Sequence, residues 1–131
     1  GYLHDALYPV EHSRQAGAVL VAGSDAPVDS RDPRPFENMA AGIMKAAGSG
    51  DDFRASQRTS LTEMLAAYTI NGARAVRQEA ITGSIEAGKS ADFIVLDRDL
   101  FALVKAGTPE QIAQTRVEQT VFMGETVYRK P

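Results

Sequence analysis

Asp25 is the residue of this sequence whose position most favours catalytic chemistry. It comes shortly after the apolar run Val19 to Ala22, which Gly17 and Gly23 bracket. A short run without polar residues predicts a strand covered on both faces, as in parallel α/β sheets. The carboxylate would then lie at the C-terminal end of a strand, where such sheets and barrels assemble their sites. The alternative is a turn residue that bonds its own backbone ahead of Pro27, and spacing alone favours neither.

A second segment, Gly83 to Ser90, matches the phosphate-loop pattern G-x-x-x-x-G-K-[ST] at every specified position. Such a loop binds phosphate when a strand enters it and a helix leaves it, because backbone N–H groups then converge on the anion. Here polar residues precede the pattern, an apolar run over 91–96 follows it, and Glu86 would repel phosphate. These neighbours favour a glycine-containing turn between two strands, with Lys89 in solvent. A nucleotide-binding module using Gly83 to Ser90 is the alternative function.

Other candidate ligands and nucleophiles are few. His4 and His12 are eight positions apart near the first predicted helix, which separates them by roughly 12 Å along its axis and prevents them from sharing an ion. Asp51 and Asp52 follow a glycine-rich turn and favour a solvated pair or a helix cap. The absence of cysteine excludes disulfides, thiolate metal sites and cysteine nucleophiles. Asp25 therefore has no evident catalytic partner within the sequence.

Helical spacing of apolar side chains predicts four helices before residue 82. They are a helix over 5–16, one over 36–47 that ends at Gly48, one that begins near Leu61 after the capping box Ser60-Leu-Thr-Glu63, and a short one through Val76 that Asn71 caps. Residues 28–36 contain two prolines and several charges, which predicts an exposed, rather stiff loop able to cover a substrate.

The periodicity changes at Thr82. Phe93 to Leu96 is predicted to be a strand, and residues 121–128 a hairpin that turns at Gly124-Glu125. A helix between them starts at Thr108-Pro-Glu-Gln. The sequence thus predicts an α/β chain: a helix-rich half with one buried strand, then a β-rich half with one helix.

Composition narrows the class of protein further. With 131 residues, 44% of them hydrophobic, the chain is expected to form a soluble globular domain. A net charge of −3 and the lack of a basic cluster interleaved with aromatics exclude a nucleic-acid binder. No apolar run approaches the roughly 20 residues of a spanning helix, which argues against a membrane protein. A cytoplasmic location is favoured, because the sequence begins without a signal peptide, and secretion stays open because we expect the true N-terminus to be absent.

Four segments together resemble a known family. They are Gly23-Ser-Asp-Ala-Pro27, residues 61–75, residues 83–97 and residues 120–128. In this order they resemble the C-terminal part of amidohydrolase-superfamily enzymes, and most closely the amidohydrolase 3 group. The resemblance implies the C-terminal part of a TIM-barrel metal-dependent hydrolase, with the last barrel strand and its flanking helices in residues 1–81. Residues 82–131 would then supply strands of a small β-sandwich, and the phosphate-loop pattern would be a turn of that sandwich.

The resemblance also implies a role for Asp25, as both a catalytic residue and a metal ligand. In these enzymes the carboxylate after strand eight binds a divalent metal, for which zinc is favoured here. It also takes a proton from the water that attacks an amide-like carbon of a small-molecule substrate. The expected activity is hydrolysis of C–N bonds. Substrate contacts are not predicted, except that residues 28–36 are the local candidates.

The family's other metal ligands, among them a His-x-His pair after strand one, are absent from this sequence. A complete barrel takes about 250 residues, so we expect a C-terminal fragment. Alone, it is expected to bind no metal tightly, to hydrolyse nothing, and to self-associate through its unpaired strand. A non-catalytic, β-rich interaction domain is a third alternative, against which the position of Asp25 argues.

Overall fold

A computed structural model describes residues 10–28, 33–44 and 58–131. The described elements, in chain order, are α1 (Val10–Gln15), α2 (Pro35–Met44), α3 (Leu61–Tyr68), α4 (Ile70–Ala75), β1 (Phe93–Leu96), α5 (Leu100–Lys105), a 3₁₀ helix (Pro109–Gln114), β2 (Val117–Phe122) and β3 (Glu125–Arg129). The mixed helix and strand content confirms the α/β class. The predictions for His4, for the helix end at Gly48 and for Asp51-Asp52 lie outside the described residues.

The capping box at the start of α3 forms as predicted. The Ser60 hydroxyl accepts the Glu63 N–H at 3.1 Å, and the Glu63 carboxylate accepts the Ser60 N–H at 2.8 Å. The predicted cap of α4 by Asn71 is wrong, since α4 begins at Ile70 and Asn71 lies in its first turn. Only Thr69 separates α3 from α4, and its hydroxyl donates back to the Leu65 carbonyl at 2.6 Å. No loop therefore exists in which Asn71 could act as a cap.

One buried cluster joins both halves of the chain. It consists of Met39, Ala40, Leu61, Met64, Leu100 and Ile112. The 3₁₀ helix packs closely against α2, and α2 also contacts α3. Ile112 is fully buried there, so the segment after β1 closes the core that the earlier helices begin.

The three strands form an antiparallel sheet in the order β1-β2-β3. β1 pairs with β2 over the whole of the strand predicted from the sequence. β2 and β3 are joined through Met123 and Gly124, whose φ angles are 51° and 84°. Two positive φ values match the two-residue hairpin turn that suits the twist of paired strands. The predicted turn at Gly124-Glu125 is therefore wrong by one residue, because Glu125 already belongs to β3.

The second half contains two helical elements where one was predicted. The predicted helix after Thr108 forms as the 3₁₀ helix. The unpredicted one is α5, which Asp99 caps by accepting the N–H groups of Phe101 at 2.9 Å and Ala102 at 3.0 Å. An aspartate ahead of an apolar turn is a standard helix start.

Residues 18–25 do not form the predicted buried strand. Val19 and Val21 are 63% and 47% exposed, whereas Leu20 packs against the core. Strands are made by pairing with a neighbouring backbone, and the described residues place no strand beside this segment. Its apolar sequence therefore remains only half covered.

Candidate functional site

Asp25 lies at the start of a turn that follows residues 18–24. The Val28 N–H donates to the Asp25 carbonyl at 2.8 Å, and the Ser24 hydroxyl accepts the Ala26 N–H at 3.3 Å. The φ angle of Asp25 is 52°, a left-handed conformation that aspartate adopts more readily than most residues. Residues held in such sparsely populated conformations cluster at functional sites.

The side chain of Asp25 is exposed and free to bind. Its carboxylate makes no hydrogen bond or ion pair in the part of the chain that the structure describes. Carboxylate oxygens are ligands for divalent cations, including zinc. The position therefore fits one ligand of a metal site.

Two neighbouring helices fix the segment that carries Asp25. The Asn71 side-chain amide donates to the Leu20 carbonyl at 2.9 Å, and the Ala22 N–H donates to the Ala67 carbonyl at 3.2 Å. Sequence reasoning missed this use of Asn71, because an asparagine in a first helical turn carries no local signal of a bond 51 positions away.

The described residues give Asp25 no complete set of metal ligands. Within the described ranges there is no group of three histidine, cysteine, aspartate or glutamate side chains that could hold an ion. His12 lies exposed in the last turn of α1. Of the predicted substrate loop, residues 29–32 lie outside the described ranges. Arg34 at the end of that loop pairs with Glu37 at 2.9 Å. A catalytic zinc site typically uses three protein ligands, so a site that included Asp25 would need ligands from outside the described residues.

The phosphate-loop pattern adopts a different structure from a phosphate loop. It lies between α4 and β1, so a strand leaves it and the described chain before it is helix and turn. The expected strand before it is therefore wrong. Gly83 and Gly88 both have φ of 90°, as turn glycines do. The inverted order of helix, turn and strand lacks the helix N-terminus that binds phosphate.

Lys89 of this pattern is engaged within the turn. Its ammonium donates to the Ser84 hydroxyl at 2.6 Å and to the Glu86 carboxylate at 2.9 Å, and its side chain is only 14% exposed. The Ser84 hydroxyl and the Lys89 ammonium hold the pKa of Glu86 below its usual range. The prediction of Lys89 in solvent is wrong, because Glu86 and Ser84 lie within its reach. The charge that a phosphate loop would offer to a nucleotide is already paired.

Asp92 joins the end of this turn to the hairpin. Its carboxylate accepts the Met123 N–H at 2.8 Å, the Ser90 hydroxyl at 2.9 Å and the Thr82 hydroxyl at 3.0 Å. These bonds, led by that of Met123, lower the pKa of Asp92. Ser90, the last residue of the phosphate-loop pattern, thus has a structural partner in Asp92, immediately before β1.

Comparison with known proteins gives matches along nearly the whole chain. The sequence profile of the Amidohydrolase family matches residues 3–128. The N-substituted formamide deformylase of Arthrobacter pascens is 35% identical over 96 residues, which are 73% of this chain and 17% of that protein. The 5-methylthioadenosine/S-adenosylhomocysteine deaminase of Thermoanaerobacter pseudethanolicus is 36% identical over 99 residues, or 74% of this chain and 22% of that protein.

The fold also matches a solved structure. An amidohydrolase from Thermotoga maritima superposes with a TM-score of 0.64 at 21% identity, covering 92% of this chain and 26% of that one. The chain spans about a fifth of the length of the relatives that it matches. Among the described helices, none has the length and apolar character needed to cross a bilayer.

Proposed function

The chain belongs to the Amidohydrolase family, and from that premise we propose that it is the C-terminal part of a metal-dependent enzyme that hydrolyses C–N bonds. In this proposal residues 1–81 close a (β/α)₈ barrel, and residues 82–131 supply strands of a β-sandwich. The apolar segment before Asp25 supports the first assignment, because its valines are exposed and the described residues place no strand beside it. In a complete barrel, neighbouring strands and helices would cover such a segment. The antiparallel sheet supports the second.

Asp25 is the ligand and proton acceptor in this proposal. The observation that carries it is an exposed carboxylate without a partner among the described residues, in a left-handed conformation, just after a segment fixed by α3 and α4. Asp25 would hold a divalent metal, with zinc favoured, together with ligands outside the described residues. When bound, such an ion lowers the pKa of water toward 7. The Asp25 carboxylate accepts the proton that the attacking water releases.

The substrate class follows from chemistry that the relatives' names share. A deformylase acting on an N-substituted formamide and a deaminase both cleave a carbon–nitrogen bond. We extend only this common step, hydrolytic attack on a carbon bonded to nitrogen in a small molecule, to the protein that contains this chain.

The test compares two identical substitutions in the full-length protein. Asp25→Asn removes the proton acceptor, and we expect it to lower kcat by about 10²- to 10⁴-fold in assays of amine or ammonia release from formamides and amino-substituted heterocycles. Asp99→Asn is the matched control, since asparagine caps a helix as well as aspartate does. Elemental analysis of the purified proteins provides a second measurement, with less metal expected in the Asp25→Asn protein than in the control. Equal kcat in the two variants would refute the role of Asp25.

A further inference from the structure

We propose that Asn71 is a positioning residue for Asp25. Its side-chain amide fixes the backbone from which the Asp25 carboxylate projects, so that its loss displaces the carboxylate without removing it. This inference rests on the proposed function of Asp25, and it assigns to α4 a part in the site.

The contact between Asn71 and the segment is direct. Asn71 Nδ2 lies 2.9 Å from the carbonyl oxygen of Leu20, five positions before Asp25, and the bond is partly shielded from solvent. Val19 and Val21 are largely exposed, so their side chains do little to hold the segment. Its register against the helices depends on the Leu20 side chain, on the Asn71 bond and on the bond from Ala22 to Ala67.

The amide of Asn71 has a defined orientation. Arg74, one turn further along α4, donates from Nη1 to Asn71 Oδ1 at 3.4 Å. Because the amide oxygen faces the guanidinium, the amide nitrogen faces Leu20. The amide oxygen and the amide nitrogen of Asn71 are therefore both bonded in only one orientation of the amide.

The opposite side of α4 is held by the turn after it. A Cβ built on Gly83 would come within 2.6 Å of the Ala73 Cβ and 3.0 Å of the Ile70 Cα, so the turn backbone lies against the helix. The Gln78 N–H also donates to the Ala73 carbonyl at 2.8 Å. Asn71 therefore projects from a helix that is itself fixed, which a positioning residue requires.

Loss of this bond has a predictable consequence for turnover. Catalytic groups must be held within about 0.5 Å of their productive geometry. Removing a residue that orients a metal ligand costs roughly 10- to 100-fold in metal affinity or activity. We expect a loss of that size for a variant of Asn71 that keeps Asp25 intact.

The experiment uses the full-length protein and three variants. Asn71→Ala removes the amide, and Asn71→Asp keeps its shape and the acceptor for Arg74 but loses the donor to Leu20. Asn38→Ala is the matched control, because the Asn38 amide donates to the Tyr68 hydroxyl at 3.1 Å between α2 and α3 and is likewise partly shielded. The measurements are kcat, KM, the metal retained after dialysis and the unfolding midpoint.

We expect both Asn71 variants to lose roughly 10- to 100-fold in kcat and to retain less metal. Asn38→Ala should keep kcat within about twofold. Its unfolding midpoint should fall by about as much as those of the Asn71 variants, since each variant loses one comparable hydrogen bond. The proposal is overturned if the Asn71 variants lose no more kcat than Asn38→Ala, or if neither of them folds while the control does. If Asp25→Asn also has the same kcat as Asp99→Asn, the proposed function is refuted as well. If Asp25→Asn loses kcat and the Asn71 variants do not, only the role of Asn71 is refuted.

Discussion

Two apolar segments of this chain, Val19 to Ala22 and Phe93 to Leu96, are similar in sequence and different in structure. Both are four residues long and without polar side chains, and both are predicted to be strands. Only the second forms one, because β2 follows it in the chain and pairs with it from Phe93 to Leu96. The first has no strand beside it in the described structure. An apolar run indicates only that its side chains favour burial. A strand forms only where a neighbouring backbone is present to pair with it.

The two segments also differ in how much of their surface is satisfied. In β1 the backbone is paired, yet Phe93, Ile94 and Val95 are still 39%, 48% and 43% exposed. In residues 18–25, Val19 and Val21 are exposed, and the described residues place no strand beside the backbone, which bonds the helices only at Leu20 and Ala22. The sheet therefore has a paired backbone and exposed side chains, whereas the segment before Asp25 has exposed valines and few backbone bonds. The difference indicates that residues 18–25, which carry the proposed site, depend more than the sheet does on contacts from outside the described residues.

The largest expected effect follows from separating the chain from the rest of the protein. The 131-residue chain alone should show no turnover and no tight metal binding, since the described residues contain no group of three side chains that could hold an ion. Assay of amine or ammonia release and elemental analysis after dialysis, both beside the full-length protein, measure this. Turnover with stoichiometric metal in the chain alone would contradict the account.

The same dependence predicts self-association of the isolated chain. Exposed valines beside unpaired backbone groups favour contact with a second copy. Light scattering at micromolar concentration should give a mass above that of a monomer, and Val21→Lys should lower it. A clean monomer for the parent chain would show that the segment is stable without neighbours.

A pair of glycines tests how the sheet part supports the helices. Gly83 and Gly88 share a φ of 90°, but a Cβ at Gly83 meets Ala73 and Ile70, and one at Gly88 meets nothing within 4 Å. Both alanine variants carry the left-handed cost of about 1–2 kcal/mol. Gly83→Ala should lose a further ~1–3 kcal/mol from overpacking. Urea unfolding of the two variants measures the difference, and equal losses would mean that the turn does not press on α4.

A smaller effect is expected at the capping box of α3, which involves only residues close together in sequence. Ser60→Ala removes the capping box of α3 and should lower the free energy of unfolding by about 1 kcal/mol. Thr62→Ala, at an exposed position in the same helix, should cause no such loss. Thermal unfolding of both variants compares them. Equal stabilities would mean that the capping box does not stabilise α3.

The smallest expected effect is a pH dependence within the sheet part. The Arg98 guanidinium, then the Arg116 N–H, holds the pKa of Asp97 well below its usual range. A lowered pKa in the folded state means that Asp97 stabilises fully above about pH 5 and loses this contribution as the pH falls below about 4. The unfolding midpoint should therefore fall on acidification, and less steeply for Asp97→Asn. A midpoint that rises on acidification would contradict the assignment.

Features that depend on neighbours in sequence could be predicted well. The capping box at Ser60 and the helical start at Pro109 are such features, and both form. Features that depend on distant partners could not be predicted. The Asn71 bond to Leu20 spans 51 positions, and Lys89 is withdrawn from solvent by a turn geometry that its pattern does not specify. Asp25 could be singled out because its signal, an acid after an apolar run, is local, and its role as a metal ligand stays a prediction.

The most direct test of the role of Asp25 is anomalous diffraction from crystals of the full-length protein grown with zinc. We expect a metal peak about 2.0–2.2 Å from an Asp25 carboxylate oxygen. We also expect the segment before Asp25 to be paired on both sides with other strands. A metal bound elsewhere, with the Asp25 carboxylate beyond bonding distance, would contradict the account.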